Sequence, residues 1–290
     1  MHMPITDTIS ILEPQDFPHQ LREIPDPPEK LWLRGSLPSP ETKLLTVVGS
    51  RALTRYGRES CELLIAGLVG YPISIVSGLA LGADACAHRA ALAAGLHTIA
   101  IPGGGLADDS IGPRTNRGLA KEILKAGGAL LSEHEPDYLA HPYDFPSRNR
   151  IMVGMADAVL IIEAGPKSGT LITSRLASEY NRELLCVPHR IGDPHGFGAH
   201  LFMRLGATVV TESKHILEAL RISVREESEV RPPPQLTPHE RTIFDLLDEP
   251  RARDEIIRTA TLTPSETLIS LISLELKGAA QEQFGLWKRT

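Results

Sequence analysis

Short aliphatic and β-branched runs recur through the middle of the chain: LLTVVG (44–49), SIVSG (74–78), HTIAIPG (97–103), GALLSE (128–133), AVLIIEA (158–164), LLCVP (184–188) and ATVV (207–210). Most are nearly continuous in apolar residues rather than alternating. That pattern suits strands covered on both faces. Between them lie segments with helical periodicity, such as ESCELLIAGLV (59–69) and ADACAHRAALAA (83–94). Strand and helix in strict turn predict an α/β fold: a doubly wound, mostly parallel, Rossmann-like sheet over residues 43–222.

The two ends read differently. Residues 1–42 are punctuated by Pro4, Pro14, Pro18, Pro25, Pro27, Pro28, Pro38 and Pro40. Proline fixes φ and removes a donor, so this stretch is expected to be mostly extended, with short helical turns and Trp32 docked on the core domain. Residues 223–235, SVREESEVRPPPQ, are charged and proline-rich and read as an exposed linker. Residues 236–290 contain two short helical patterns, a turn and a longer one, TPSETLISLISLEL. That last helix carries Leu268, Leu271, Ile272 and Leu276 on one face, and a polar tail with Phe284 and Trp287 follows. The expectation is a small C-terminal winged-helix domain ending in a β-wing.

Charge alters this picture little. Thirty Lys and Arg against thirty-six Asp and Glu give a formal charge of −6, which excludes a protein that coats nucleic acid by bulk charge but leaves room for a local basic groove. No apolar run is long enough to span a bilayer. The start, MHMPITDTIS, has neither the basic opening nor the apolar core of a signal peptide, so a cytoplasmic location is expected. Cys61, Cys86 and Cys186 sit in apolar stretches without C-x-x-C pairing, as buried thiols in a reducing compartment would.

Ligands of open parallel sheets bind at the carboxyl ends of the strands. Here those ends carry Gly49-Ser50-Arg51, Ser77-Gly78-Leu79-Ala80, Gly103-Gly104-Gly105 and Gly165-Pro166-Lys167-Ser168-Gly169-Thr170. The last runs directly into the helical pattern LITSRLASEY. Free N–H groups at a helix start favour an anion, with Ser168 and Thr170 as hydroxyl donors and Lys167 as a point charge. A plain Ser/Thr helix cap is the other reading of the same loop. Neither a Walker loop nor a G-x-G-x-x-G fingerprint is present, which points away from nucleoside triphosphates and NAD. A second cluster, Phe145-Pro146-Ser147-Arg148-Asn149-Arg150, precedes a helical pattern. Its arginines suit phosphates and its ring suits a base, though a capping segment with solvated arginines and a core phenylalanine reads equally well. His189, His195 and His200 with Asp193 fit no standard ligand spacing, so no metal and no cofactor is expected. His88 reads as a structural helix residue, and no Ser/His/Asp set or carboxylate pair stands out.

Taken in order, VVGSRALTRYG (47–57), IVSGLALGADACAHRAAL (75–92), TIAIPGGGL (98–106), LLSEHEP (130–136), FPSRNRIMVGMADAVLIIEA (145–164), SGTLITSRLASEYNRELLCVP (168–188) and GAHLFMRLGATVV (198–210) resemble the motif series of DprA/Smf proteins. The resemblance covers about residues 44–215, FPHQLREIPDPPEKLWLRG (17–35) looks like that family's preceding segment, and the C-terminal unit looks like its winged helix. It implies single-stranded DNA binding without catalysis, delivery of that DNA to the RecA recombinase in natural transformation, and a homodimer formed through the Rossmann-like domain. By the same resemblance, phosphates would lie against Ser50 and Arg51 and against Ser168, Gly169 and Thr170, with Phe145, Arg148 and Arg150 in the same pocket. Three positions depart from the family pattern: His189 stands where glycine is usual after Val-Pro, Gly198-Ala199-His200 replaces a Gly-Thr/Ser-Asn pattern, and Gly112-Pro113 replaces a Tyr-Pro pair.

Two rival functions share such a fold. A nucleotide phosphoribohydrolase-like enzyme would need carboxylates shortly after Gly169-Thr170, where Leu171, Ile172 and Thr173 stand. A sensor of a nucleotide-derived signal would bind nucleotide and ignore oligonucleotides. In the C-terminal domain, residues 237–290 hold seven Lys and Arg against nine Asp and Glu, and the long helix has no basic residue. It is therefore expected to contribute little DNA affinity and to contact protein.

Overall fold

The computed structural model describes residues 8–223, 236–283 and 285–289. The chain divides into two compact units, residues 1–224 and 225–290. All but the first residue of the linker expected at 223–235, together with Phe284, lies outside the described residues.

Among the described residues, the first unit is built on one sheet of nine strands. In chain order these are β1 (Ile9–Leu12), β2 (Leu31–Gly35), β3 (Lys43–Val48), β4 (Ile73–Ser77), β5 (His97–Ala100), β6 (Ala129–Ser132), β7 (Ala158–Ile161), β8 (Glu183–Cys186) and β9 (Thr208–Val209). Their order across the sheet is β1-β2-β6-β5-β4-β3-β7-β8-β9. The seven strands from β3 to β9 pair in parallel. The sequence runs overshoot several strands at their carboxyl ends, because the Gly- and Pro-containing residues there leave the sheet to form turns.

The proline-punctuated N-terminal segment is more ordered than its composition suggests. It supplies β1, the short helix α1 (His19–Arg22) and β2, and β2 pairs antiparallel with β6 through Trp32 opposite Ser132. From Pro14 to Pro40 its prolines fall between the strands, where a missing N–H breaks no ladder bond.

Helices cover both faces: α2 (Arg55–Ala66), α3 (Ala83–Ala93), α4 (Arg117–Lys125), α5 (Asp144–Met155), α6 (Thr170–Glu179), α7 (Phe197–Arg204) and α8 (Ser213–Ala219). Alternation along β3 shows how the layers are divided. Leu44 and Val48 pack with α1, α5, α6 and α7, whereas Leu45 and Val47 pack with α2, α3 and α8. Among the described residues no helix is long and apolar enough to cross a membrane.

The second unit is a winged helix: α9 (Pro238–Leu246), β10 (Arg251–Ala252), α10 (Arg253–Thr259), α11 (Pro264–Leu276), β11 (Ala280–Gln283) and β12 (Leu286–Arg289), with the strands in the order β10-β12-β11. Both α9 and α11 open with capping boxes, Thr237 with Glu240 and Thr263 with Glu266. The buried face of α11 differs from the expected one. Leu271 and Leu274 pack inward beside Thr267 and Ser270, while Leu268, Ile272 and Leu276 point outward. The helix carries two apolar stripes, and the one with small polar residues wins because it lets α9 approach closely and lodge Ile243 and Leu247.

Glu240 ties this unit together. Its carboxylate accepts from Lys277 Nζ (2.7 Å), Ser273 Oγ (2.6 Å) and Thr237 N (2.6 Å). Lys277 first, then Ser273 and the Thr237 N–H, hold its pKa down at about 2 against an ordinary 4.5. A depressed carboxylate stabilises the fold above the unfolded value and ceases to as pH falls through the folded one. The winged helix should therefore lose roughly 1–3 kcal/mol between about pH 4.5 and pH 2. Glu240→Gln should lose a similar amount already at pH 7 and flatten that acid transition. Trp287 emission in a Trp32→Phe background would follow both.

Candidate nucleic-acid interface

Strand order reverses at β3. From it the chain winds one way through β4, β5 and β6, then returns to add β7, β8 and β9 on the other side. The turns leaving β3 and β7 therefore diverge to opposite faces and open a crevice. A cleft of about 980 Å³ occupies this place, lined by Ser50, Arg51, Asp84, Phe145, Arg148, Asn149, the 165–170 turn and His195, among others.

The β3 turn is shaped by close backbone contacts. Ala83 N donates to Ser50 O at 3.0 Å, which brings the start of α3 beneath the turn. Gly82 allows this with φ +74°, and a Cβ there would lie 2.2 Å from Ser50 O. The Ser50 hydroxyl accepts from Ala52 N at 3.1 Å. Arg51 is exposed, and its guanidinium lies 5.1 Å from the centre of the Phe145 ring. Phe145 is half-buried and rests its edge on Gly103, where a Cβ would come within 2.8 Å of the ring. A cation and an aromatic ring thus stand together at the cleft, each with an accessible face.

The segment 145–150 does not precede a helix but lies within α5, which starts at Asp144. On a helix, residues two apart point in nearly opposite directions, so Arg148 and Arg150 part company. Arg148 turns inward, 6% exposed, and donates from Nη1 to Gly78 O at 2.7 Å. Gly78 gives the arginine its room, since a Cβ there would sit 2.4 Å from the guanidinium. Burial pulls the Arg148 pKa down to about 10, opposed by the neighbouring Asp84 carboxylate. Burial likewise raises Asp84, opposed by Arg148. Arg150 leaves the cleft and pairs with Glu133 (2.5 Å) and Asp26 (3.2 Å). Asn149, between the two arginines, faces the cleft instead.

The β7 turn is more closed than its sequence suggests. Ser168 Oγ donates to Thr170 Oγ1 at 2.9 Å and accepts from Thr170 N at 3.2 Å. The N–H groups of Leu171 and Ile172 bend back to the carbonyls of Ser168 and Gly169. Donors at a helix start satisfy themselves this way when the first turn tightens. Lys167 and Gly169 remain exposed, and Thr170 is buried. An anion would meet Lys167 first and the hydroxyls only by exchanging these local bonds.

Two buried carboxylates carry no motif in the sequence: Asp84, which lines the cleft, and Glu163, which lies behind it. Asp84 lies within the helical run 83–94. Glu163 follows β7, is fully buried, and accepts from Thr54 N (3.1 Å) and the Thr54 hydroxyl, with His195 Nδ1 3.8 Å away. An acid inside an apolar strand run, AVLIIEA, was the available signal. The other loop histidines turn to backbone: His189 Nδ1 meets Val187 O and His200 Nε2 meets His189 O, each at 3.0 Å. Among the described residues no group of His, Cys, Asp and Glu is placed to hold a metal. His88 is fully buried against Thr98 Oγ1 (2.8 Å), and desolvation pulls its pKa to about 3, so it is neutral at physiological pH.

The family model described as DNA recombination-mediator protein A matches residues 8–221, and that of the DprA winged helix domain matches residues 227–285. The chain belongs to the DprA/Smf family. Its sequence is 37% identical over 270 residues to protein Smf of Escherichia coli K12, covering 90% of this chain and 72% of that one. It is 38% identical over 201 residues to DNA processing protein DprA of Streptococcus pneumoniae, covering 69% and 70%. The solved structure of the S. pneumoniae protein superposes with a TM-score of 0.69 at 36% identity over 75% of each chain. DprA of Helicobacter pylori, solved to describe its single-stranded DNA binding mode, gives 0.65 at 29% identity over 76% of this chain and 98% of its own. Of the positions where this DprA/Smf chain departs from the family pattern, His189 and His200 pack edge to face, 6.3 Å apart, and Tyr56 closes on the same wall by donating to Pro188 O at 2.7 Å.

Proposed function

We propose that this chain binds single-stranded DNA in the switch-point cleft, with little sequence preference, and passes it to the RecA recombinase. The observation that carries this is the Arg51 guanidinium held over the Phe145 ring, which offers charge to a phosphate and a π-face to a base at one point. Ser50, Lys167, Ser168, Gly169 and Thr170 extend the polar rim, and Asn149 joins them. Arg148 forms the cationic floor rather than a direct contact, and Arg150 supports α5 from outside. Bases are hidden in a duplex, so single strands are preferred. The family model's description as a recombination mediator supports the transfer step, and the proposal includes a cytoplasmic location and pairing of two Rossmann-like units.

Binding without catalysis is the reading the wall supports. Asp84 is engaged by Ala80 N and Arg148, and Glu163 by Thr54. The helix start after Gly169 carries Ile172 and Thr173 where a ribose-hydrolysing relative would need carboxylates.

Anisotropy of a labelled oligothymidylate, measured across a salt series, tests the proposal. Wild-type affinity should fall steeply with salt. Arg51→Ala should weaken it about tenfold and reduce the slope of log K on log salt by about one. Absence of oligonucleotide binding at low salt, with saturable mononucleotide binding instead, would overturn it.

A further inference from the structure

The loop between β6 and α5, residues 133–143, carries four aromatic rings in a row beside the cleft. His134 stacks on Tyr138 with centroids 4.2 Å apart and planes 15° from parallel. Tyr138 meets His141 edge to face at 5.9 Å, and His141 lies parallel to Tyr143 at 5.4 Å and 10°. The row runs from half-buried rings to exposed ones, ending at Tyr143, which is 67% exposed. Exposed aromatic rings are costly unless something covers them, and an ordered row in a loop is less common than a scattered one.

The row is held in place. Asp144, 3% exposed at the start of α5, accepts from His141 N (2.7 Å) and the Tyr138 hydroxyl (3.2 Å), with His134 Nε2 3.7 Å away. Backbone bonds from Gly105 N to Tyr138 O (2.8 Å) and Ala107 N to Pro136 O (2.7 Å) fasten the loop to the glycine turn after β5. The turn must be glycine at 105, because a Cβ there would lie 2.2 Å from Glu135 O. The rings therefore need no further ordering before a flat ligand meets them. Of the three acidic residues in this loop, Glu133 is paired with Arg150 and Glu135 with Lys30, while Asp137 is exposed, so the surface is less anionic than its sequence but keeps one open carboxylate.

Continuity decides what this surface takes. Pro142, between the last two rings, lines the cleft, and Phe145 follows Tyr143 by two residues. We infer that the His141–Tyr143 pair is a second stacking platform, on which the one or two bases of a DNA strand that leave the cleft past Phe145 come to rest. This rests on the proposed DNA binding in the cleft and extends its track along the β6–α5 loop. His134 and Tyr138 act beneath as the fixed base of the row, and Asp144 is a positioning residue. The platform adds affinity only to strands long enough to emerge from the cleft, and it is indifferent to base identity because every base has a π-face.

The test compares two oligothymidylates, one sized to the cleft and one about twice as long, against wild type, the double variant His141→Ala/Tyr143→Ala, Tyr143→Phe and Arg51→Ala. The double variant should bind the long strand about tenfold more weakly than wild type and the short strand within about twofold. Tyr143→Phe should match wild type on both, since the ring and not the hydroxyl does the stacking. A fluorescent adenine analogue placed just beyond the cleft should be quenched by wild type and not by the double variant. Equal losses on both lengths, or no loss on the long strand, would overturn the platform while leaving the cleft intact. Arg51→Ala should weaken both lengths alike. If wild type binds neither strand, the cleft reading fails, and the platform fails with it.

Discussion

Arg148→Ala should destabilise the first unit by about 3–5 kcal/mol and lower its melting temperature by roughly 6–20 °C, the largest effect expected of any substitution in the cleft. The guanidinium is buried, bonds Gly78 O at 2.7 Å and is the counter-charge for a buried Asp84. Its loss leaves that carboxylate buried with the Ala80 N–H but no counter-charge, and leaves Gly78 O without its partner. The same argument gives two internal checks. With Arg148 gone, the folded-state pKa of Asp84 rises further above its unfolded value. The native state then binds the extra proton, and stability increases as pH falls through that raised value. Arg148→Ala should therefore be less damaging in mild acid than above neutrality. Adding Asp84→Asn should recover part of the loss, because a neutral amide tolerates burial that an unpaired carboxylate does not. Calorimetry of the two variants at two pH values separates this charge effect from simple loss of packing, which would show neither pattern.

Gly82→Ala ranks second and acts through the backbone. Gly82 has φ +74° and ψ −121°, outside the small left-handed region that alanine tolerates. Its Cβ would also lie 2.2 Å from Ser50 O and 2.5 Å from Arg51 O. Neither atom is a flexible side-chain end, so the β3 turn itself must move. The expected cost is about 2–4 kcal/mol by thermal melt. Displacing Arg51 from the Phe145 ring should also bring oligonucleotide affinity at least as low as Arg51→Ala does. A variant that lost stability but kept full affinity would show that the turn's geometry is not what presents Arg51.

These two positions mark the limits of what the sequence reveals. β3, β7 and the turns that follow them stand out because strands buried on both faces leave continuous apolar runs, and turns leave glycines. Ser50, Arg51, Phe145, Lys167, Ser168, Gly169 and Thr170 do meet at one cleft. Arg150 does not, and the cause is one misplaced boundary: α5 begins at Asp144, so its arginines obey helical angles. Gly82 carries no signal of its own, since a positive φ is a demand set by Ser50 and Arg51 in a different turn. Asp84 and Glu163 stand in apolar surroundings in the sequence, and a lone acid there looks the same whether it is a buried ion-pair member, a cap or a solvated residue. In α11 the sequence offers two apolar stripes, and only the position of α9 chooses between them.

The nine-stranded sheet of the described residues is open and so has two margins. An open sheet presents unpaired donors and acceptors along its outermost strands, and copies held close together can zip edge to edge. Here those outer strands are β1, with four residues, and β9, with two. Such brief edges give a neighbouring copy almost nothing to zip onto. Two copies that meet at these margins therefore gain little from pairing strand to strand, which protects the fold from edge-to-edge association at high local concentration.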